Sequence, residues 1–422
     1  MLALKKIFDF IHNKQNISTY THSASDFTRL NKLTFPAVVL KILHSFSDSV
    51  EFNLATFLPK LNLRPVTAGA FSIARCKIKI DFFKDLDKVL QDTIETIQPK
   101  RWKGYRLIAG DGTTISVPVS KQTISYFAVF AQSKEGSKTV MANACMLYDV
   151  LANFVLKSAI STTKENEYVL MKHMLADFTS KDSILLLDRA FGYFYIYKLL
   201  LSNGLNFCIR QKVDVAQNFS KSILSTNSSD FNAEWIPSEA EMASCKIHGL
   251  TSEPIKVRIT KVLLPSGEIE ILVSNLFDFE LIKTEDMKTL YHYRWSIEEA
   301  FKQLKPKMKL EQFGSRKPEG IFQEFYAHLI MLNLTTLIAL EAEPKIHGKA
   351  NTRKWPYKYN RVNAYKFIKT AFVDLFYNTD LQSIMDDLIE KISSSIISIR
   401  PNRNFSRKHK FKRKPRLSPM YK

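Results

Sequence analysis

The chain has 422 residues, with 61 Lys+Arg against 41 Asp+Glu and a formal net charge of +20. That length exceeds one ordinary domain, and a hydrophobic fraction of 45% with 12% aromatic residues excludes a mostly disordered protein. Cys76, Cys145, Cys208 and Cys245 show no CxxC or CxxH spacing, which argues against a disulfide framework or a structural zinc site and fits a reducing compartment.

The charge is unevenly placed. Ten basic residues and no acid lie in 400–422, so this tail supplies half of the net charge. The balance points to a polyanion partner. The first eight residues soon meet Asp9 and His12 and lack a signal peptide's apolar core. The most apolar run, 327–340, contains His328 and Asn333 and has the length of a buried helix rather than of a membrane span. A soluble protein with no membrane partner is expected.

Residues 26–95 read as short amphipathic helices. Within them, 53–61, a turn at 62–65 and a periodic stretch at 66–79 carrying Arg75, Lys77 and Lys79 suit a helix-turn-helix. They suit a plain helical bundle equally well. From Tyr105 the pattern changes. Residues 106–111 form a strand ending on Asp111, and 138–148 and 154–160 form two more, joined by a turn at Asp149. A helix over 165–178 precedes 183–187, a continuous apolar run expected of a strand buried on both faces, which stops on Asp188. A helix over 193–202 and a strand over 205–210 follow.

Residues 211–284 turn to β. Their Ser/Asn-rich front, 218–232, is loop-like; 255–262 alternates, 265–268 makes a turn and 269–273 returns. Residues 285–304 and 320–340 are helical. A polar, basic linker over 346–363 leads to a short helical piece and the tail. No internal repeat is present.

Three carboxylates stand out. Asp111 sits between two glycines after a strand, where a turn residue would look the same. Asp188 ends a buried strand, and a charge there is costly unless paired, by the adjacent Arg189 or by a metal. On a helical wheel over 285–304, Tyr291, Arg294, Glu298 and Lys305 share one stripe about 60° wide beside the apolar stripe, with Glu299 on the far side. Such a stripe suits a bound phosphate, or an ordinary charge-paired surface helix. Pro306 disfavours helical geometry at Lys305 and predicts a frayed last turn. Two aspartates and a glutamate form an all-oxygen donor set, which favours two Mg²⁺ or Mn²⁺ ions and an in-line phosphodiester displacement.

These residues resemble the DDE transposases of the insertion-sequence-four family. Tyr291-x₂-Arg294-x₃-Glu298-x₆-Lys305 matches that family's Y-x₂-R-x₃-E-x₆-K signature, and the segments 106–113, 188–193 and 317–324 are similar to its catalytic segments. The resemblance, over roughly 30–340, implies an α/β fold: an RNase H-like mixed sheet flanked by helices, interrupted by a β-rich insertion, after an N-terminal helical DNA-binding domain. The implied parts are 1–98, the DNA-binding domain; 99–210 and 285–345, the catalytic domain; 211–284, the insertion; and 346–422, a helical piece with the basic tail.

The resemblance also implies Asp111, Asp188 and Glu298 as catalytic metal ligands, with Tyr291, Arg294 and Lys305 contacting phosphate. Trp295 or Trp235 would receive a flipped base. The implied activity is cut-and-paste transposition of an insertion sequence, acting on terminal inverted repeats and target DNA. The enzyme would work as a homodimer in the bacterial cytoplasm, at the nucleoid. A nuclease without strand transfer and a non-catalytic basic DNA-binding protein are the alternatives.

Overall fold

The computed structural model describes residues 2–29, 33–44, 49–97, 100–180, 182–212, 218–264, 267–350 and 354–400. The basic tail beyond Arg400 and the start of the turn expected at 265–268 lie outside them. The chain divides into two compact units. One joins Met1–Ile97, Ser116–Met141 and Lys302–Lys422; the other joins Gln98–Ile115 and Ala142–Phe301.

The second unit is α/β. It holds β1 (Arg106–Val117) up to Ile115, β3 (Lys138–Asp149) from Ala142, and β4 (Phe154–Thr162), β5 (Ser183–Leu187), β6 (Asn206–Gln211), β7 (Asp230–Trp235), β8 (Ile255–Leu263) and β9 (Ile269–Ser274); β2 (Ala131–Gln132) and the remaining ends of β1 and β3 fall in the first unit. The spatial order is β4-β3-β1-β5-β6-β9-β8-β7. Strands β1, β5 and β6 pair in parallel, while β3 and β4 form an antiparallel hairpin. Counting β1, β3, β4, β5 and β6 as first to fifth gives the order 3-2-1-4-5, an RNase H-like mixed sheet. All five residues of β5 are buried, as a strand covered on both faces requires. Each buried Leu or Ile there contributes roughly 1.5–3 kcal/mol.

The insertion does not stand apart. Its strand β9 pairs antiparallel with β6, from Cys208 opposite Ser274 to Gln211 opposite Ile271, so β7, β8 and β9 extend the central sheet. The stretch expected as loop, 218–232, contains the helix Asn218–Ser225 and the start of β7. Its composition concealed them because Phe219 and Ile223, the buried positions, are separated by polar residues. Arg258, fully buried, donates to both carboxylate oxygens of Asp230 and to the carbonyls of Leu276 and Ile282. Thr284 also donates to Asp230, at 2.7 Å, which ties the insertion to the start of the helix Thr284–His292.

The first unit is helical around Pro318–Leu340, of which 94% of the most apolar window is buried. By length and composition this helix is apolar enough to cross a membrane; here it is the core of a bundle, packed on Asp81–Glu95, Phe35–His44, Arg361–Thr370 and Leu381–Ser394. Burial against the N-terminal helices explains why 302–345 groups with 1–97, whereas the sequence reading assigned it to the catalytic part. The expected linker at 346–363 instead contains the end of the helix Glu343–Ala350, the strand Tyr357–Tyr359 paired with Ile396–Ser398, and the start of Arg361–Thr370.

The helix-turn-helix region resolves into Val50–Phe57, a 3₁₀ turn at Leu58–Leu61 and Ala68–Arg75. A recognition helix must show its cations to DNA. Arg75 is instead 5% exposed and donates to Glu324 at 2.5 Å, to Gln323 at 3.0 Å and to the Gly320 carbonyl at 3.0 Å. Lys77 and Lys79 lie past the helix end, held by Asp26 and by the Thr19 carbonyl. These contacts favour the bundle. The described cysteines are all free thiols.

Candidate active site

The pairing of β1 with β5 brings two acids together. Gly110 stands opposite Leu187 as the last pair of the parallel register, and the next residue on each strand is an aspartate, Asp111 and Asp188. Both aspartates therefore stand just past the last β1–β5 pair, at the C-terminal end of β5, where ligand sites of α/β sheets gather. The strand expected to stop at Asp111 runs on to Val117, so Asp111 belongs to the strand rather than to a turn. Asp188 caps the short turn Arg189–Phe191, accepting the Ala190 amide at 2.5 Å.

The flanking glycines are explained by what lies against them. A Cβ on Gly110 would stand 2.5 Å from Leu187 Cδ2, and one on Gly112 would stand 2.5 Å from Cδ and 2.7 Å from Oε2 of Glu167. Glu167 is thus a fourth carboxylate beside Asp111. Sequence reasoning missed it because it opens the helix Glu167–Ala176 without any local pattern. The glycine after Asp111 was the available signal.

Electrostatics follow from this crowding. Burial pushes the Asp111 carboxyl up to about 6; the Gly112 amide, donating at 2.8 Å, and Arg294 pull it back, while Asp188 and Glu167 push it further up. Arg294 stands 5% exposed, with Nη2 donating to Glu298 at 3.0 Å and Nη1 3.8 Å from Asp111 Oδ2. Its Nε has no hydrogen-bond partner among the described residues. Burial opposes its charge, yet Tyr291, Glu298 and Asp111 hold its proton more tightly than usual.

The long helix expected over 285–304 is broken. Thr284–His292 ends at Tyr293, Trp295–Lys302 begins anew, and a π-helical turn follows at Gln303–Lys307. A single wheel therefore does not describe the face, although Arg294 and Glu298 still meet at i,i+4 spacing. Tyr291 is buried, with the guanidinium of Arg294 5.8 Å from its ring, and burial raises its hydroxyl pKa. Trp295 is 41% exposed, with that guanidinium 4.9 Å from its ring. Glu299 is exposed. Lys305, on the π-helical turn around Pro306, belongs to the helical unit rather than to the unit of the acids.

Trp235 is not placed to receive a base. It is buried, stacked on Phe219 at 4.0 Å and set edge-on to Phe194 at 5.5 Å, so it packs the core and offers no face to a base. The acids that bear on Asp111, Asp188 and Glu167, offer carboxylate oxygens, which suit a hard divalent cation, while the buried Cys145 thiol lies near enough to feel both Asp111 and Glu167. Among the described residues no group of three His, Cys, Asp or Glu side chains is placed to hold a metal ion, and Arg294 stands between Asp111 and Glu298.

Among solved structures, the chain is similar to the piggyBac transposase in a cryo-EM synaptic complex with hairpin DNA. The identity is 10%, covering 92% of this chain and 85% of that one, with a TM-score of 0.48. No curated protein matches. Residues 102–334 match the model of the transposase DDE domain. That stretch is more than half of the chain and contains Asp111, Asp188 and Glu298, and the chain belongs to the transposase DDE domain family.

Proposed function

We propose that this transposase is of the insertion-sequence-four type and performs cut-and-paste transposition of a bacterial insertion sequence. It cleaves the phosphodiesters at the terminal inverted repeats and joins the freed 3′-OH to target DNA, as a homodimer holding two ends at the nucleoid in the cytoplasm. The observation that carries this reading is the pair Asp111 and Asp188, each just past the last pair of the parallel β1–β5 register, with Arg294 reaching from Asp111 to Glu298.

In this reading Asp111, Asp188 and Glu298 hold two Mg²⁺ or Mn²⁺ ions, which supply activation of the attacking oxygen and stabilisation of the leaving one. Asp111 must be ionised to act, which its carboxyl near 6 permits at neutral pH. Arg294 keeps a positive charge beside the acids, offsetting their repulsion of an incoming phosphate, and Trp295 and Lys305 contact the DNA.

The test uses a plasmid carrying the coding region with its natural flanks. Purified protein with Mg²⁺ should release the segment, and the new junctions should show inverted repeats bracketed by a direct duplication. Asp111→Asn, Asp188→Asn or Glu298→Gln should abolish release while DNA binding persists. Release by any one variant removes that residue from the site. Cleavage without joining leaves a nuclease.

A further inference from the structure

Just beyond Asp188 the chain presents a ladder of rings. Tyr193, 51% exposed, is stacked on Tyr195 at 5.9 Å and within 24° of parallel, and Tyr168 lies 5.8 Å from it on a ring tilted by 59°. Tyr195 lies 4.2 Å from the ring of His248. Tyr195 is 7% exposed, so the ladder is anchored there and open at Tyr193. Lys172 Nζ stands 3.0 Å from Nδ1 of His248, and burial and this ammonium lower the imidazole's pKa, which keeps the ring neutral.

A groove of about 360 Å³ runs beside the rings, lined by Tyr193 and Tyr195 and by the exposed Arg189 and Lys212. Its acid, Glu241, is turned toward the amide and hydroxyl of Ser238. An aromatic face half in water, that of Tyr193, beside two cations with no ion pair among the described residues matches one ligand chemistry well: unpaired nucleobases for the ring and backbone phosphates for the cations. A duplex, with its bases already stacked, offers no free face to Tyr193.

We propose that Tyr168, Tyr193, Tyr195 and His248 form a stacking platform for an unpaired segment of DNA, with Arg189 and Lys212 on its phosphates. The segment runs past the turn that follows Asp188. The platform is separate from Trp295 and Trp235, and it rests on the reading of the protein as acting on DNA strands.

The experiment compares a blunt duplex with the same duplex carrying a short single-stranded tail that contains 2-aminopurine, using the full chain. The wild type should bind the tailed duplex about tenfold more tightly and quench the probe. Tyr193→Ala should lose both the preference and the quenching, with an unchanged circular dichroism spectrum. Tyr193→Phe should keep both, as should Ile236→Ala, an exposed site outside the ladder.

A wild type without preference, or a Tyr193→Ala protein that keeps it, overturns the platform. Plasmid release by the same wild-type preparation tests transposition separately. Release together with unaltered tail binding by Tyr193→Ala sinks the platform alone. Tail preference without release sinks the reaction and upholds the platform.

Discussion

Two buried arginines, one in each unit, use the same side chain in opposite ways. Arg75 places Nη1 on Glu324, Nε on Gln323 and Nη2 on the Gly320 carbonyl, so each guanidinium nitrogen has a partner. Arg294 is as deeply buried, yet it bonds Glu298, only approaches Asp111 at 3.8 Å, and leaves Nε without a hydrogen-bond partner among the described residues. A saturated buried charge fixes the packing of helices. An under-bonded one among crowded carboxylates keeps donor capacity for something that arrives later.

Removing the saturated arginine should have the largest effect. Arg75→Ala leaves Glu324 buried and uncompensated, and urea unfolding should show a loss of about 3–5 kcal/mol. Plasmid release measured well below its melting range should stay near wild type. Arg294→Lys should do the reverse: release falls about a hundredfold while the melting temperature barely moves, because an ammonium cannot span two carboxylates as a fork does. Equal activity in that variant would make Arg294 another structural arginine.

Asp87 sharpens the same contrast inside the helical unit. It is 3% exposed, burial pushes its carboxyl up to about 7, and the Gln91 hydrogen bond at 2.7 Å opposes that only in part. The folded pKa lies above the unfolded one, so between about pH 4 and pH 7 the folded chain holds a proton that the unfolded chain releases. Stability from this group is therefore full below that window and falls as pH rises through it. Asp87→Asn should be more stable than wild type by at least about 1 kcal/mol at pH 8 and indistinguishable at pH 4, read from melts at the two values. The smallest effect belongs to Glu299→Ala, exposed beside Glu298, which should change release by less than about twofold. A loss as deep as that of Glu298→Gln would mean the wrong glutamate faces the acids.

Much of the α/β unit was legible along the chain. Residues 183–187 read as a two-sided buried strand and are β5, residue for residue; 193–202 differs from the observed helix by one residue at its start, and 205–210 is shifted from the observed strand by one residue at each end. Apolar continuity and helical periodicity are local signals, which is why they survived. The helix break at Tyr293 was not legible, because apolar spacing continues across it through Leu290, Ile297 and Phe301. Glu167 had no local signature, since its nearness to Gly112 is created by packing between segments far apart in sequence.

By itself the sequence determined which acids follow the apolar strand runs, the spacing of Tyr291, Arg294 and Glu298, and the family to which those motifs point. The tertiary structure decided what each charge faces. It buried Arg75 against Glu324, stacked Trp235 on Phe219, set the register that leaves Asp111 and Asp188 side by side, and joined residues 302–345 to the N-terminal helices. The reason is physical: periodicity and strand propensity are written within a few residues, whereas register, burial and charge pairing arise between residues that meet only when the chain has folded.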